Sequence, residues 1–242
     1  MLLEKMSWKM VDDYLKHDDR IVLVLGATEE HGPNSLATDT QCAWEIAKAA
    51  CENKKILLGP ALPYGPSHFS LAYPGAISLT VHTYMYVIKE ILDCVVRHGF
   101  KRILFFSGHG GNTPAMNVIT EYVLDRSDLT IKFREWYMMP NTIAKIRELG
   151  SSEYEHGSWL ESFPWFNQPE PIKPAFKEQT HETDFYAFSA EELRKAWGDG
   201  VGGGEYTKPE PVMREYFNIA VKDLEEFLDN GWSKTQRVPN SK

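Results

Sequence analysis

Three short apolar runs constrain the fold of this chain more than any other feature: IVLVLG (residues 21–26), KILLGPAL (55–62) and RILFFS (102–107). Each is continuous rather than alternating, and rich in β-branched, leucine or phenylalanine side chains. That is the pattern of a strand covered on both faces. A fourth strand is expected at 130–136. Between the runs lie helical segments: 7–17, opened by Ser7; 40–51; 83–98, closed by Gly99; and 113–125. Further helices are expected at 139–149, from a capping box at Ser189 to Glu192, and at 209–231. Strands alternating with helices build a mostly parallel sheet with helices on both faces. Residues 163–189 read as Pro-rich and irregular, 198–204 as a glycine-rich loop, and 232–242 as a fraying tail. No repeat or linker divides the chain, so a single domain over 1–242 is expected.

Composition narrows the function. With 26 Lys and Arg against 34 Asp and Glu, the net charge is −8, which argues against a nucleic-acid partner. No apolar stretch reaches the ~18 to 20 residues of a membrane span. The N-terminus is charged from Glu4 onward and lacks a signal-peptide core. Cys42, Cys51 and Cys94 form no C-x-x-C pair and are expected as buried free thiols in helices. A reducing, cytoplasmic setting is the expectation.

In open α/β sheets, ligands bind beyond the carboxyl ends of the strands. Those ends carry TEEHGP (28–33) with TDT (38–40), PYGPSH (63–68) and SGHGGN (107–112). One edge thus receives Glu29, His31, Asp39, His68 and His109. Glu29 and His31, two apart on an extended segment, point to the same side. Carboxylates and imidazoles together suit a divalent ion, Zn, Mn or Fe. One Asp can bridge two such ions, a pair that activates water and polarises a carbonyl together. Rival motifs are weaker. Gly108-His109-Gly110 lacks the third glycine of a dinucleotide fingerprint, and that position holds Thr113. The run from Gly200 to Gly204 lacks the Lys-Ser/Thr of a phosphate loop, and Ser107 sits in no G-x-S-x-G elbow.

The chain resembles the creatininase (creatinine amidohydrolase) family over roughly residues 6–220. The resemblance is carried by GATEEHGPNSLATDT (26–40), PYGPSHFSLAYPGAISL (63–79), HGFKRILFFSGHGGN (98–112), EHGSWLES (155–162) and GVGGGEYT (200–207). It implies a three-layer αβα sandwich and a metal-dependent hydrolase acting on amide bonds of small, often cyclic molecules. It also implies assembly as a homohexamer. By the same resemblance Glu29, Asp39 and His109 hold one ion, and His31 and Asp39 a second. His156 is implied to shuttle protons and His68 to meet substrate.

Three departures matter. The loop from His31 to Asp39 is one residue short, with Asn34-Ser35 where His-Leu-Pro is common. Gly111 stands where creatininase has a metal-binding Glu, so Glu161 is the candidate for the last ligand, with Glu155 as runner-up. Residues 151–154 (SSEY) replace the segment with a substrate-covering Trp, which argues against creatinine itself. Relatives also act on formamidopyrimidine nucleotides, peptides and cyclic keto-sugars.

The expected reaction is therefore hydrolysis of a C–N bond by a hydroxide held at two ions. His156, oriented by Glu155, protonates the leaving nitrogen. Ser107 and Asn112 support the His109 loop and are grouped with His68, Gly110, Gly111 and Trp136 as substrate-side positions. Tyr137, Trp159 and Trp165 are candidates either for the pocket wall or for the core. Two alternatives stand beside this reading: hydrolysis of a C–C bond in a cyclic keto-sugar at the same metal site, and a non-catalytic binder of metal or small molecules.

Overall fold

The computed structural model describes residues 1–167, 175–179 and 187–234. Parts of the Pro-rich segment and the tail from 235 onward lie outside these residues. Four parallel strands form the central sheet: β1 (Arg20–Leu25), β2 (Leu57–Leu58), β3 (Arg102–Ser107) and β4 (Thr130–Glu135), in the order β2-β1-β3-β4. Among the described residues seven α-helices accompany them: α1 (Trp8–Leu15), α2 (Thr38–Lys54), α3 (Val81–Arg97), α4 (Ala115–Val123), α5 (Pro140–Glu148), α6 (Ala190–Trp197) and α7 (Glu210–Asn230).

The continuous apolar runs are explained by two separate cores. Val22, Val24, Leu104 and Phe106 face α2, α5 and α7, where Ile46, Ile146, Tyr216 and Leu224 are buried with them. Ile21, Leu23, Leu25, Ile103 and Phe105 face the other way and meet Tyr84, Ile88 and Leu92 of α3 and Val118 and Ile119 of α4. Successive strand residues alternate between the two layers, so neither face tolerates a polar residue. The result is the expected three-layer αβα sandwich.

Several boundaries move for local reasons. The second run pairs as a strand only at Leu57–Leu58 instead of throughout 55–62. Pro60 has no N–H to give, although Gly59 N and Leu62 N still donate to Val22 O and Val24 O at 2.8 and 2.9 Å. α3 starts two residues early because Thr80 Oγ1 caps it, accepting from Thr83 N at 3.2 Å. Cys42 and Cys51 are buried as expected, but Cys94 is exposed, on the outer face of α3. The glycine-rich loop ends in a strand, β6 (Gly204–Glu205), antiparallel to β5 (Phe176–Lys177) inside the segment read as irregular. The Ser189–Glu192 capping box is present in full.

The topology positions the site. Leu25, Ser107 and Glu135 are in register at the carboxyl edge of the sheet. The chain leaves β1 toward β2 and then returns past β1 to β3, so the crevice between the ends of β1 and β3 is a topological switch point. Phe105, fully buried between β3 and the outer helices, is the side chain on which this frame most visibly relies. Phe105→Ala is expected to lower the unfolding free energy by about 3 to 5 kcal/mol, read by urea denaturation. A loss under about 1 kcal/mol would contradict the packing described.

Candidate metal centre

Five side chains converge at the switch point. Glu29 and His31 follow β1, Asp39 lies in the first turn of α2, His109 follows β3, and Glu161 comes from a short 3-10 turn, residues Trp159–Glu161. Glu29, His31 and Asp39 are each at most 2% exposed. Ligand atoms fall into two groups, each within 4.8 Å: Glu29, Asp39 and His109; and His31, Asp39 and Glu161. Asp39 belongs to both. A third group of the same kind joins Glu29, His31 and His156.

Both imidazoles present one nitrogen to the carboxylates. His109 Nε2 donates to the Pro66 carbonyl at 2.8 Å, which leaves Nδ1 facing Glu29 Oε1 at 3.2 Å and Asp39 Oδ2 at 3.3 Å. His31 Nδ1 faces the Glu29 carbonyl at 3.4 Å, which leaves Nε2 near Asp39 Oδ1 at 3.1 Å and Glu161 Oε2 at 3.3 Å. A carbonyl only accepts, so each far nitrogen carries the proton and each near nitrogen is free to bind a cation.

The charge balance calls for one. Among the described residues no Lys or Arg pairs with Glu29, Asp39 or Glu161, and Asp39 Oδ2 has no hydrogen-bond partner. Three buried carboxylates facing only two imidazoles are poorly compensated. Burial pushes His31 and His109 downward, but the carboxylates win and hold both well above the usual histidine range. Burial also opposes ionisation of Asp39, yet the two histidines keep it far below the ordinary carboxylate range. This donor set, two imidazoles and three carboxylates with a shared Asp, fits two divalent ions.

The surroundings hold the ligands in place. Glu29 Oε2 accepts from Ser67 Oγ and, at 3.4 Å, from Ser70 Oγ. Asn167 Nδ2 and the Cys42 thiol both donate to the Glu161 carbonyl, and Gly157 N donates to Glu161 Oε2 at 3.3 Å. Burial and the nearby carboxylates push the Cys42 thiol well up, so it acts as a neutral donor. Asn34 and Ser162 exchange hydrogen bonds at 2.8 and 3.1 Å, joining the shortened loop to the Glu161 turn. Sequence reasoning missed Ser67, Asn34, Asn167 and the Cys42 contact. Ser67, Asn34 and Asn167 sit in loops and Cys42 in α2, and all act through pairings far apart in the chain.

The candidate metal ligands floor a cavity of about 750 Å³. His68, Gly110, Gly111, Trp136, Tyr137, Glu155 and His156 line it. Ser107 and Asn112 do not reach it: both are fully buried, with Asn112 Nδ2 donating to Ser107 Oγ and to Gly26 O at 3.2 Å each. Their place is under the His109 loop, not against substrate. Trp159 and Trp165 belong to the aromatic core around Phe163 and Tyr216. His156 Nε2 donates to the Glu30 carbonyl at 2.9 Å, with Glu30 Oε1 3.6 Å away. Glu155 instead accepts from Ser152 N at 3.0 Å, so Glu30, not Glu155, is the residue bonded to His156. A Cβ at Gly111 would collide with the His109 ring and the Pro66 carbonyl, which explains why this loop carries no ligand there.

A family model described as creatinine amidohydrolase matches residues 4–228. A mycofactocin precursor peptide peptidase of Mycobacterium tuberculosis is 32% identical over 110 residues, covering 40% of this chain and 42% of the relative. A 3-dehydro-scyllo-inosose hydrolase of Thermotoga maritima is 24% identical over 110 residues, covering 44% of this chain and 35% of the relative. The chain thus spans less than half the length of these curated relatives in the match. The crystal structure of a creatinine amidohydrolase superposes with a TM-score of 0.80 at 17% identity, over 97% of this chain and 98% of that one. At that identity the likeness is one of fold.

Because protons and a divalent ion compete for the same imidazole nitrogens, zinc uptake is expected to release protons. Both histidines are held above their ordinary range, and protons compete more strongly for them as their concentration rises, so affinity should weaken steadily from about pH 8 to about pH 6. Calorimetric titration in buffers of different ionisation enthalpy checks this. Affinity independent of pH, with no proton released, would contradict it.

Proposed function

Because this chain belongs to the creatininase family, we propose that it is a metal-dependent amidohydrolase cleaving a C–N bond of a small, possibly cyclic, molecule. The observation that carries this reading is the pair of ligand triads sharing Asp39 on the floor of the cavity. Glu29, Asp39 and His109 would hold one divalent ion, and His31, Asp39 and Glu161 the other. When bound, such ions acidify water and polarise a substrate carbonyl.

The chain's own groups supply the rest. Asp39 holds both halves of the centre in register. Ser67 and Ser70 fix one oxygen of Glu29 and leave the other for the metal side. The Glu30 carbonyl fixes the His156 tautomer, so Nδ1 is the nitrogen that exchanges a proton with the leaving amine. Burial and the neighbouring His31 push His156 down, but Glu30 and Glu29 more than offset this and raise it above the ordinary histidine range. A general acid at the reacting nitrogen benefits from that shift. Gly110 and Gly111 let backbone approach the reacting carbonyl closely.

Metal content of the purified protein, with two variants alongside, tests the assignment. Asp39→Ala is expected to lose both ions and all turnover of amide and formamide substrates. Glu161→Gln is expected to keep about one ion, with turnover reduced on the order of a hundredfold or more. Retention of two ions in Asp39→Ala would overturn the proposal.

A further inference from the structure

The part of the cavity wall beside His156 comes from a region far from the strand ends. α6 ends at Trp197, whose ring lies 4.8 Å from the His156 ring at 32°. His156 in turn lies 4.3 Å from His31 at 37°. Phe69 meets His156 edge-on at 6.5 Å. Trp197 and Phe69 both line the cavity.

α6 has only eight residues, and Leu193 is the one it buries, so it depends on outside contacts for its place. Lys177 provides the central one. Its Nζ donates to the Trp197 carbonyl, to Asp199 Oδ1 at 2.6 Å and to the Val201 carbonyl at 2.7 Å. Tyr206 Oη donates to the other Asp199 oxygen at 2.5 Å. Arg194 Nη1 donates to the Ala72 carbonyl at 2.6 Å. Beyond Trp197, Gly202 N donates to the His156 carbonyl at 3.0 Å, so the loop that Lys177 gathers is bonded to the segment carrying His156.

The chemistry of the wall is one-sided. Among the described lining residues there is no Lys or Arg; Glu155 adds to the carboxylates of the candidate metal centre, and Glu153 is paired with Arg147 from outside the cavity. Glu155 Oε2 is buried without a hydrogen-bond partner. Aromatic faces attract flat rings and cations.

We propose that Trp197 is the stacking roof of the substrate site, selecting a planar, uncharged or cationic group beside His156, and that Lys177 is the positioning residue that holds it there. The inference rests on the hydrolase reading only in placing the substrate next to His156.

The test uses zinc-reconstituted full-length protein labelled with 5-fluorotryptophan. The Trp197 resonance is identified by its loss in Trp197→Phe. Benzamide and benzamidine are expected to shift that line on titration. Cyclohexanecarboxamide, which carries the same amide on a saturated ring, should bind about three- to tenfold more weakly, as should benzamide to Trp197→Ala. Lys177→Met should displace the Trp197 line alone among the seven tryptophans and weaken benzamide similarly, with zinc content unchanged.

Equal binding of the flat and saturated rings, an unchanged benzamide affinity in Trp197→Ala, or no shift with any ring would each overturn the proposal. The readout is binding and not turnover. A protein that stacks flat amides under Trp197 but hydrolyses none would refute the hydrolase reading alone. One that hydrolyses amides equally well as Trp197→Ala would refute the roof alone.

Discussion

Three carboxylates, Glu29, Asp39 and Glu161, are buried against two imidazoles with no Lys or Arg among the described residues to balance them, and the rest of the site is arranged around that excess of negative charge. Such a cluster is costly without cations. The fold maintains it by anchoring both histidines, Glu29 and the Glu161 turn from behind. Backbone carbonyls of Pro66 and Glu29 face the outer nitrogens of the histidines, serines hold Glu29, and Asn167 with Cys42 holds the Glu161 turn. The ligand atoms are therefore preorganised, and an arriving ion meets little reorganisation.

The sheet makes the convergence possible. Parallel strands end on the same edge, and the change of direction between β1 and β3 opens a crevice there. Close backbone packing narrows it further. A Cβ on Gly108 would run into the Asp39 backbone, so the His109 loop can lie directly on the start of α2 only because that residue is glycine. Glu161 and the aromatic wall then arrive from loops outside the sheet. The frame is thus built on strand and helix ends where Glu29, His31, Asp39 and His109 sit, and on longer connections along the cavity wall.

Much of this was legible in the sequence, for identifiable reasons. Strands buried on both faces must be continuously apolar, so the runs at 21–26 and 102–107 announced themselves within a residue. The same logic overextended the run at 55–62, where Pro60 breaks the pairing. Glu29, His31, Asp39 and His109 were visible because they follow strands, and strand ends in a parallel sheet share one edge. Glu161 needed a resemblance, since nothing local ties residue 161 to residue 31. Trp197, Lys177 and Asn167 were not legible at all. Trp197 ends α6 and Lys177 lies in β5, but their roles, like that of Asn167, rest on contacts between distant segments, which leave no period to read.

The central claim is that one shared carboxylate, Asp39, organises a two-ion centre. Anomalous diffraction from crystals of the zinc-loaded protein addresses it most directly. The account predicts two peaks about 3.5 to 4 Å apart, one on each side of Asp39, with His109 and Glu29 at the first and His31 and Glu161 at the second. A single peak, or peaks that leave Asp39 unligated, would contradict it.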